Sequence, residues 1–158
     1  MLTDDMLTYI DRSVLCWLAT VDADGAPNVS PKEVFAARDR DTVLVANIAS
    51  PNTVRNIRSN PRVCLSFVDV FVQKGYKLRG SAEVVAAGEA RYNELSPPLA
   101  TITQGSFKIH SIIVIRVSVA EAILAPSYRL HAGVTEESQF AAALRTYGVT
   151  PVHREPPR

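Results

Sequence analysis

The stretch Val43–Val68, VLVANIASPNTVRNIRSNPRVCLSFV, decides the fold. An apolar run, Val43-Leu44-Val45, gives way at Asn47 to a polar turn, a short helical segment follows, and a second apolar run closes it at Val68. Ser50 followed by Pro51 is a helix N-terminus signal, a side-chain acceptor next to a residue preset for the first helical position. Such a start leaves backbone N–H groups unpaired and presents a partial positive charge, which suits an anion such as a phosphate. Most starts of this kind bind only water, so the cap alone does not decide between the two.

Working outward, the segment Thr3–Asp11 carries Met6, Leu7 and Ile10 at helical spacing, with Asp4 and Asp5 in the first turn. Val14–Val21 and Pro27–Phe35 read as strands of a hairpin reversed at Asp22-Ala23-Asp24-Gly25. A turn at 38–41 leads to the strand Thr42–Asn47, and after the short helix comes the strand Arg62–Asp69. Tyr76–Val85 alternates before Gly80, a position that suggests a bulge or a close backbone approach. Glu89–Leu95 predicts a helix stopped by Ser96-Pro97-Pro98, and Ser111–Val119 is a strand rich in β-branched residues. Thr135 begins a helix that runs to Tyr147 and stops at Gly148, and the tail VHREPPR reads as frayed.

The sum is six strands, mostly in hairpins, with peripheral helices. Regular βαβ alternation is missing, so a doubly wound nucleotide fold is disfavoured and a nearly closed antiparallel barrel is expected. The 158 residues suffice for one domain with its own core, and 47% hydrophobic against 21% charged residues is a globular composition. A net charge of +1, with both signs spread along the chain, argues against a nucleic-acid surface. No apolar run is long enough to span a membrane, and the acidic start MLTDDMLTYIDRS does not read as a signal peptide, so a cytoplasmic location is expected.

Cys16 and Cys64 lie in apolar segments and read as buried, reduced core residues. His110, His131 and His153 are scattered, and without a metal-ligand spacing no metal is expected. Ser30 and Lys32 lie two apart on a strand and therefore share a face, either as ligands for a phosphate or as a solvated edge. Asn52 and Asn56 lie one turn apart on the short helix, which also carries Thr53, Arg55 and Arg58. Gln73-Lys74-Gly75-Tyr76-Lys77 is too polar for core, and reads either as a ring contact or as a plain hairpin connection. No serine has the glycine-flanked elbow of a nucleophile, so no catalytic residue is assigned and any difficult chemistry falls to a cofactor.

The succession LATVDADGAPNVSPKEVF, DTVLVANIASPNTVRNIRSNPRVCLSFVD and KGYKLRGSAEVV resembles the FMN-binding split-barrel family related to pyridoxamine 5′-phosphate oxidase, over roughly residues 8 to 120. The resemblance implies a six-stranded split β-barrel in one domain, with a C-terminal helical extension over about 120–150. It implies FMN across a homodimer interface and an oxidoreductase acting on a small molecule through the flavin. By the same resemblance Ser30, Lys32, Ala46, Asn47, Ser50, Asn52 and Thr53 surround the phosphate side, Asn56 faces the flavin, and Gln73, Lys74 and Gly75 lie near the ring's edge. The chain departs from the family by carrying Asn52-Thr53 where the oxidases have an Arg-Lys pair, and it lacks their arginine-rich C-terminal region, which argues against vitamin B6 oxidase activity. The alternatives are a flavin-binding or storage protein without turnover, or a split barrel using a deazaflavin or haem.

Overall fold

The computed structural model describes residues 1–152; the expectation of a frayed tail, with His153, lies outside the described residues. In chain order the elements are α1 (Asp4–Arg12), β1 (Cys16–Val21), β2 (Pro27–Lys32), β3 (Phe35–Ala37), β4 (Thr42–Asn47), α2 (Pro51–Ser59), β5 (Arg62–Asp69), β6 (Lys74–Ala86), α3 (Tyr92–Thr103), β7 (Ser111–Leu124), α4 (Ser127–Leu130) and α5 (Glu136–Tyr147). The seven strands form one antiparallel sheet in the order β2-β1-β5-β6-β7-β4-β3. Its two edge strands, β2 and β3, are separated in sequence by Glu33 and Val34 alone. The chain therefore joins one edge of the sheet to the other, and the sheet curls into a split barrel.

This bend is why seven strands stand where six were expected: Pro27–Phe35 breaks after Lys32, and Val34 accepts a hydrogen bond from the Ala46 amide at 2.9 Å. The Asp22–Gly25 reversal forms as read. Asp22 Oδ1 accepts the amides of Asp24 (3.0 Å) and Ala26 (2.8 Å), and Gly25 takes φ +87°, which favours glycine.

β4 explains its continuous apolar run by being covered on both faces. Val43 and Val45 join a core with Leu18, Leu65, Phe67 and α1's Tyr9 and Ile10, while Leu44 and Ala46 face a second core with Ile112, Val114 and α3's Leu95 and Leu99. That second core also corrects the reading of α3, which was expected to stop at Ser96-Pro97-Pro98 but runs through both prolines to Thr103. A proline inside a helix costs about 3 kcal/mol. With two prolines that cost is about 6 kcal/mol, and burying Leu95 and Leu99 almost completely returns about 1.5–3 kcal/mol each, which offsets much of it.

Gly80 marks both features allowed for it. The β6–β7 register shifts between Arg79 and Gly80, and a Cβ at Gly80 would collide with the Arg116 carbonyl. At the C-terminal end, β7 runs to Leu124, so residues 120–124 are strand and the helical part begins only at α4. α5 is framed by a capping box between Thr135 and Ser138 and ends at Gly148 with φ +63°.

Candidate functional site

β2 alternates Val29 and Pro31 outward with Asn28, Ser30 and Lys32 turned the other way. Lys32 is only 5% exposed. Its Nζ donates to Ser30 Oγ and to Ser50 Oγ, both at 2.5 Å, and the two hydroxyls lie 3.4 Å apart. Ser50 is the residue before α2, yet its hydroxyl makes no cap bond to the helix; it is turned to the ammonium instead. The turn is held by Asn47, whose Oδ1 accepts the Ser50 amide at 3.1 Å and whose Nδ2 donates to Ser111 Oγ at 2.9 Å. Asn47 thus fixes where the Ser50 hydroxyl stands.

Among the described residues no carboxylate pairs with Lys32. Burial holds its pKa below the ordinary lysine value. Cys16, its partner in the β1–β2 register, supplies no anion, because burial pushes that thiol up to about 12. A buried cation without a counter-charge is costly, and an anion beside it would offset that cost.

The ammonium opens on a pocket of about 390 Å³, within the range of small-molecule sites. Ser30, Lys32 and Ser50 are polar members of its lining; Val34, Ala46, Ile48 and Ala49 are apolar ones. Pro31, Glu33 and Phe107 complete the lining. On the other side of the 47–51 turn, Asn47, Pro51, Val54, Arg55 and Arg58 line a second cavity of about 470 Å³.

Of the residues that the sequence singled out, the structure brings Ser30, Lys32, Ala46 and Ser50 to the first pocket, with Asn47 behind them. Asn52 lies on the exposed face of α2, hydrogen-bonded by Arg55. Thr53 and Asn56 are buried, and Asn56 Nδ2 donates to Thr20 Oγ1 at 3.1 Å, a bond that ties α2 to β1. Gln73, Lys74 and Gly75 form a separate cluster with the C-terminal helices. Lys74 Nζ pairs with Glu136 at 2.7 Å and sits 4.6 Å from the Tyr128 ring centre, while Gln139 Nε2 donates to Gln73 Oε1 at 3.2 Å. Lys74 in turn holds the Glu136 carboxyl below the usual carboxylate range. Gly75 is required by packing, since a Cβ there would meet the Phe67 carbonyl.

The sequence reading missed Val34, Ile48 and above all Phe107. The last sits in QGSFKIH, and a large aromatic among polar and small residues of a connection was the available signal. Among the described residues no group of three His, Cys, Asp or Glu side chains is arranged to hold a metal, and no helix is long and apolar enough to cross a membrane.

Comparison with known proteins places this fold. A curated relative, an uncharacterized protein of Methanocaldococcus jannaschii, is 26% identical over 119 residues, covering 74% of this chain and 77% of that one. Among solved structures, HupZ of Group A Streptococcus superposes with a TM-score of 0.68 at 28% identity, covering 79% of this chain and 96% of that one. An FMN-binding protein of Syntrophomonas wolfei (TM-score 0.61, 17% identity, 74% and 82% covered) and an F420 reductase (0.60, 23%, 76% and 98%) share the fold. The family model described as pyridoxamine 5′-phosphate oxidase matches residues 2–124, more than half of the chain. The chain belongs to the pyridoxamine 5′-phosphate oxidase family.

Proposed function

We propose that the protein is a cytoplasmic, homodimeric FMN-dependent oxidoreductase acting on a small molecule, with the FMN phosphate seated at Lys32, Ser30 and Ser50. One observation carries this reading: Lys32 is buried with two hydroxyls for partners and no carboxylate. A phosphate supplies the missing charge and several acceptor oxygens, and the first turn of α2, left uncapped by Ser50, adds N–H donors and a favourable dipole. The FMN-binding protein of the same fold supports the choice of ligand.

Asn47 positions the Ser50 hydroxyl, Ala46 forms part of the wall, Asn52 stands at the open start of α2, and Thr53 and Asn56 hold the helix against the barrel. Gln73, Lys74 and Gly75 contact the ring only from a second subunit in this reading, since within one chain they belong to another cluster. Half-exposed Trp17 and the exposed Val29 and Pro31 supply apolar surface on the outer face of β1 and β2 for such a subunit. When bound, the isoalloxazine supplies the hydride and electron chemistry that no side chain here provides. The protein's own part is to bind the phosphate, fix the ring and exclude water.

A second reading, a deazaflavin cofactor, is favoured by the F420 reductase of the same fold and would use the same phosphate end. Mass spectrometry of the small molecule released on denaturing the purified protein separates the two. FMN supports the first reading and a deazaflavin the second; haem, or no flavin even after incubation with FMN, overturns both. Bleaching of the bound flavin by NAD(P)H then distinguishes an oxidoreductase from a storage protein.

A further inference from the structure

Phe107 lines the Lys32 pocket but belongs to neither hydrophobic core, and 54% of it is open to solvent. Its backbone is nevertheless held on both sides. After α3 the chain reverses through Gln104 (φ +48°) and Gly105 (φ +77°), and the Ser106 amide donates to the Thr103 carbonyl at 2.8 Å. Beyond it, Ile109 is buried, its carbonyl accepts the Tyr92 hydroxyl at 2.9 Å, and the His110 amide donates to the Asn47 carbonyl at 3.0 Å. The last of these bonds ties the loop to the same Asn47 that positions Ser50. A phenyl ring is therefore presented at the pocket by an anchored loop, half exposed and without the full gain that burial would bring.

The lining of the pocket combines the cationic Lys32 with the aromatic Phe107, with Glu33, Val34, Ala46 and Ile48 also among its walls. We propose that Phe107 is a ring-contacting residue, whose phenyl packs against the planar ring system of a ligand held by its phosphate at Lys32. The site thereby selects molecules that join an anionic end to a flat aromatic body. Aromatic pairs favour offset or edge-to-face packing, and a loop already fixed in place loses little freedom when the ligand arrives. This inference deepens the proposed function, because it takes the phosphate contact from that reading and assigns a ring contact in the same pocket.

The test titrates FMN and riboflavin into the wild type, Phe107→Ala, Phe107→Tyr and Lys32→Ala, following flavin fluorescence and heat, with the ligand-free melting temperature as a control for folding. Loss of a stacking side chain is expected to weaken both ligands by about five- to a hundred-fold, leaving the FMN-to-riboflavin ratio as in the wild type. Phe107→Ala should also lose part of the fluorescence quenching on binding, Phe107→Tyr should restore it, and ligand-free melting should not move. Wild-type affinity and quenching for both ligands in Phe107→Ala would overturn the assignment. The riboflavin arm does not depend on the phosphate, so a Lys32→Ala protein that binds FMN like the wild type would refute the phosphate site and leave Phe107 to be judged on riboflavin. A wild type that binds neither ligand overturns both.

Discussion

Two lysines of this protein, Lys32 and Lys74, both read as cofactor ligands, and the fold treats them in opposite ways. Lys74 is given its counter-charge by the chain itself: Glu136 at 2.7 Å, with the Tyr128 ring beneath the ammonium. Lys32 is buried more deeply and is given two hydroxyls and a neutral thiol. A cation already neutralised within the fold is a structural tie. A buried cation left without an anion is where we place the ligand, whose charge would offset the cost of desolvation.

The comparison can be broken first at the hairpin that carries Lys74. Gly75→Ala sets a methyl against the Phe67 carbonyl, and the strand must shift to relieve it. We expect a loss of about 3 kcal/mol or more in denaturant unfolding, the upper end for overpacking. An unchanged unfolding midpoint would mean that glycine is kept there for the ligand and not for packing.

The second test is pH. Burial disfavours the charged form of Lys32, so its folded pKa lies below that of the unfolded chain, which binds more protons across the interval between them. Ligand-free stability should therefore rise with pH through this interval. Affinity for FMN should fall as pH rises through the folded pKa of the ligand-free protein and the ammonium is lost, while affinity for riboflavin does not follow that step. A pH profile shared by both ligands would remove Lys32 from the phosphate.

The smallest effects are expected at Lys74. Its pair with Glu136 is partly exposed, and such pairs contribute about 0–1 kcal/mol. Glu136→Gln should lower stability within that range at neutral pH. Glu136 has its folded pKa depressed, so the contribution is present above its ordinary value and fades as pH falls through the folded one. Lys74→Ala should change FMN and riboflavin affinity alike and by less than about three-fold, a small contact energy. A large loss confined to FMN would make Lys74 a phosphate ligand and dissolve the contrast with Lys32.

How much of this was legible depends on the range of the forces involved. The Asp22–Gly25 reversal, the Thr135–Gly148 frame of α5 and the shared face of Ser30 and Lys32 follow from local chemistry, and their residues announce them. The bend at Glu33-Val34 and the passage of α3 through Pro97-Pro98 do not, because each is held by partners distant in sequence: Ala46 in the first case, the core around Leu44 and Val114 in the second. The site divides the same way. Ser50 announced a cap, but its hydroxyl was drawn off by Lys32, eighteen positions back, and Asn56 was drawn inward to Thr20. Phe107 reaches the pocket only because β7 begins beside Asn47.

The central claim is that the Lys32 ammonium binds the phosphate of a flavin nucleotide, and calorimetric titration of Lys32→Ala with FMN and with riboflavin tests it most directly. A charge-assisted hydrogen bond contributes about 1.5–3 kcal/mol, so FMN should bind roughly ten- to a hundred-fold more weakly than to the wild type while riboflavin binds as before. Equal weakening of the two ligands, or no weakening of either, would contradict it.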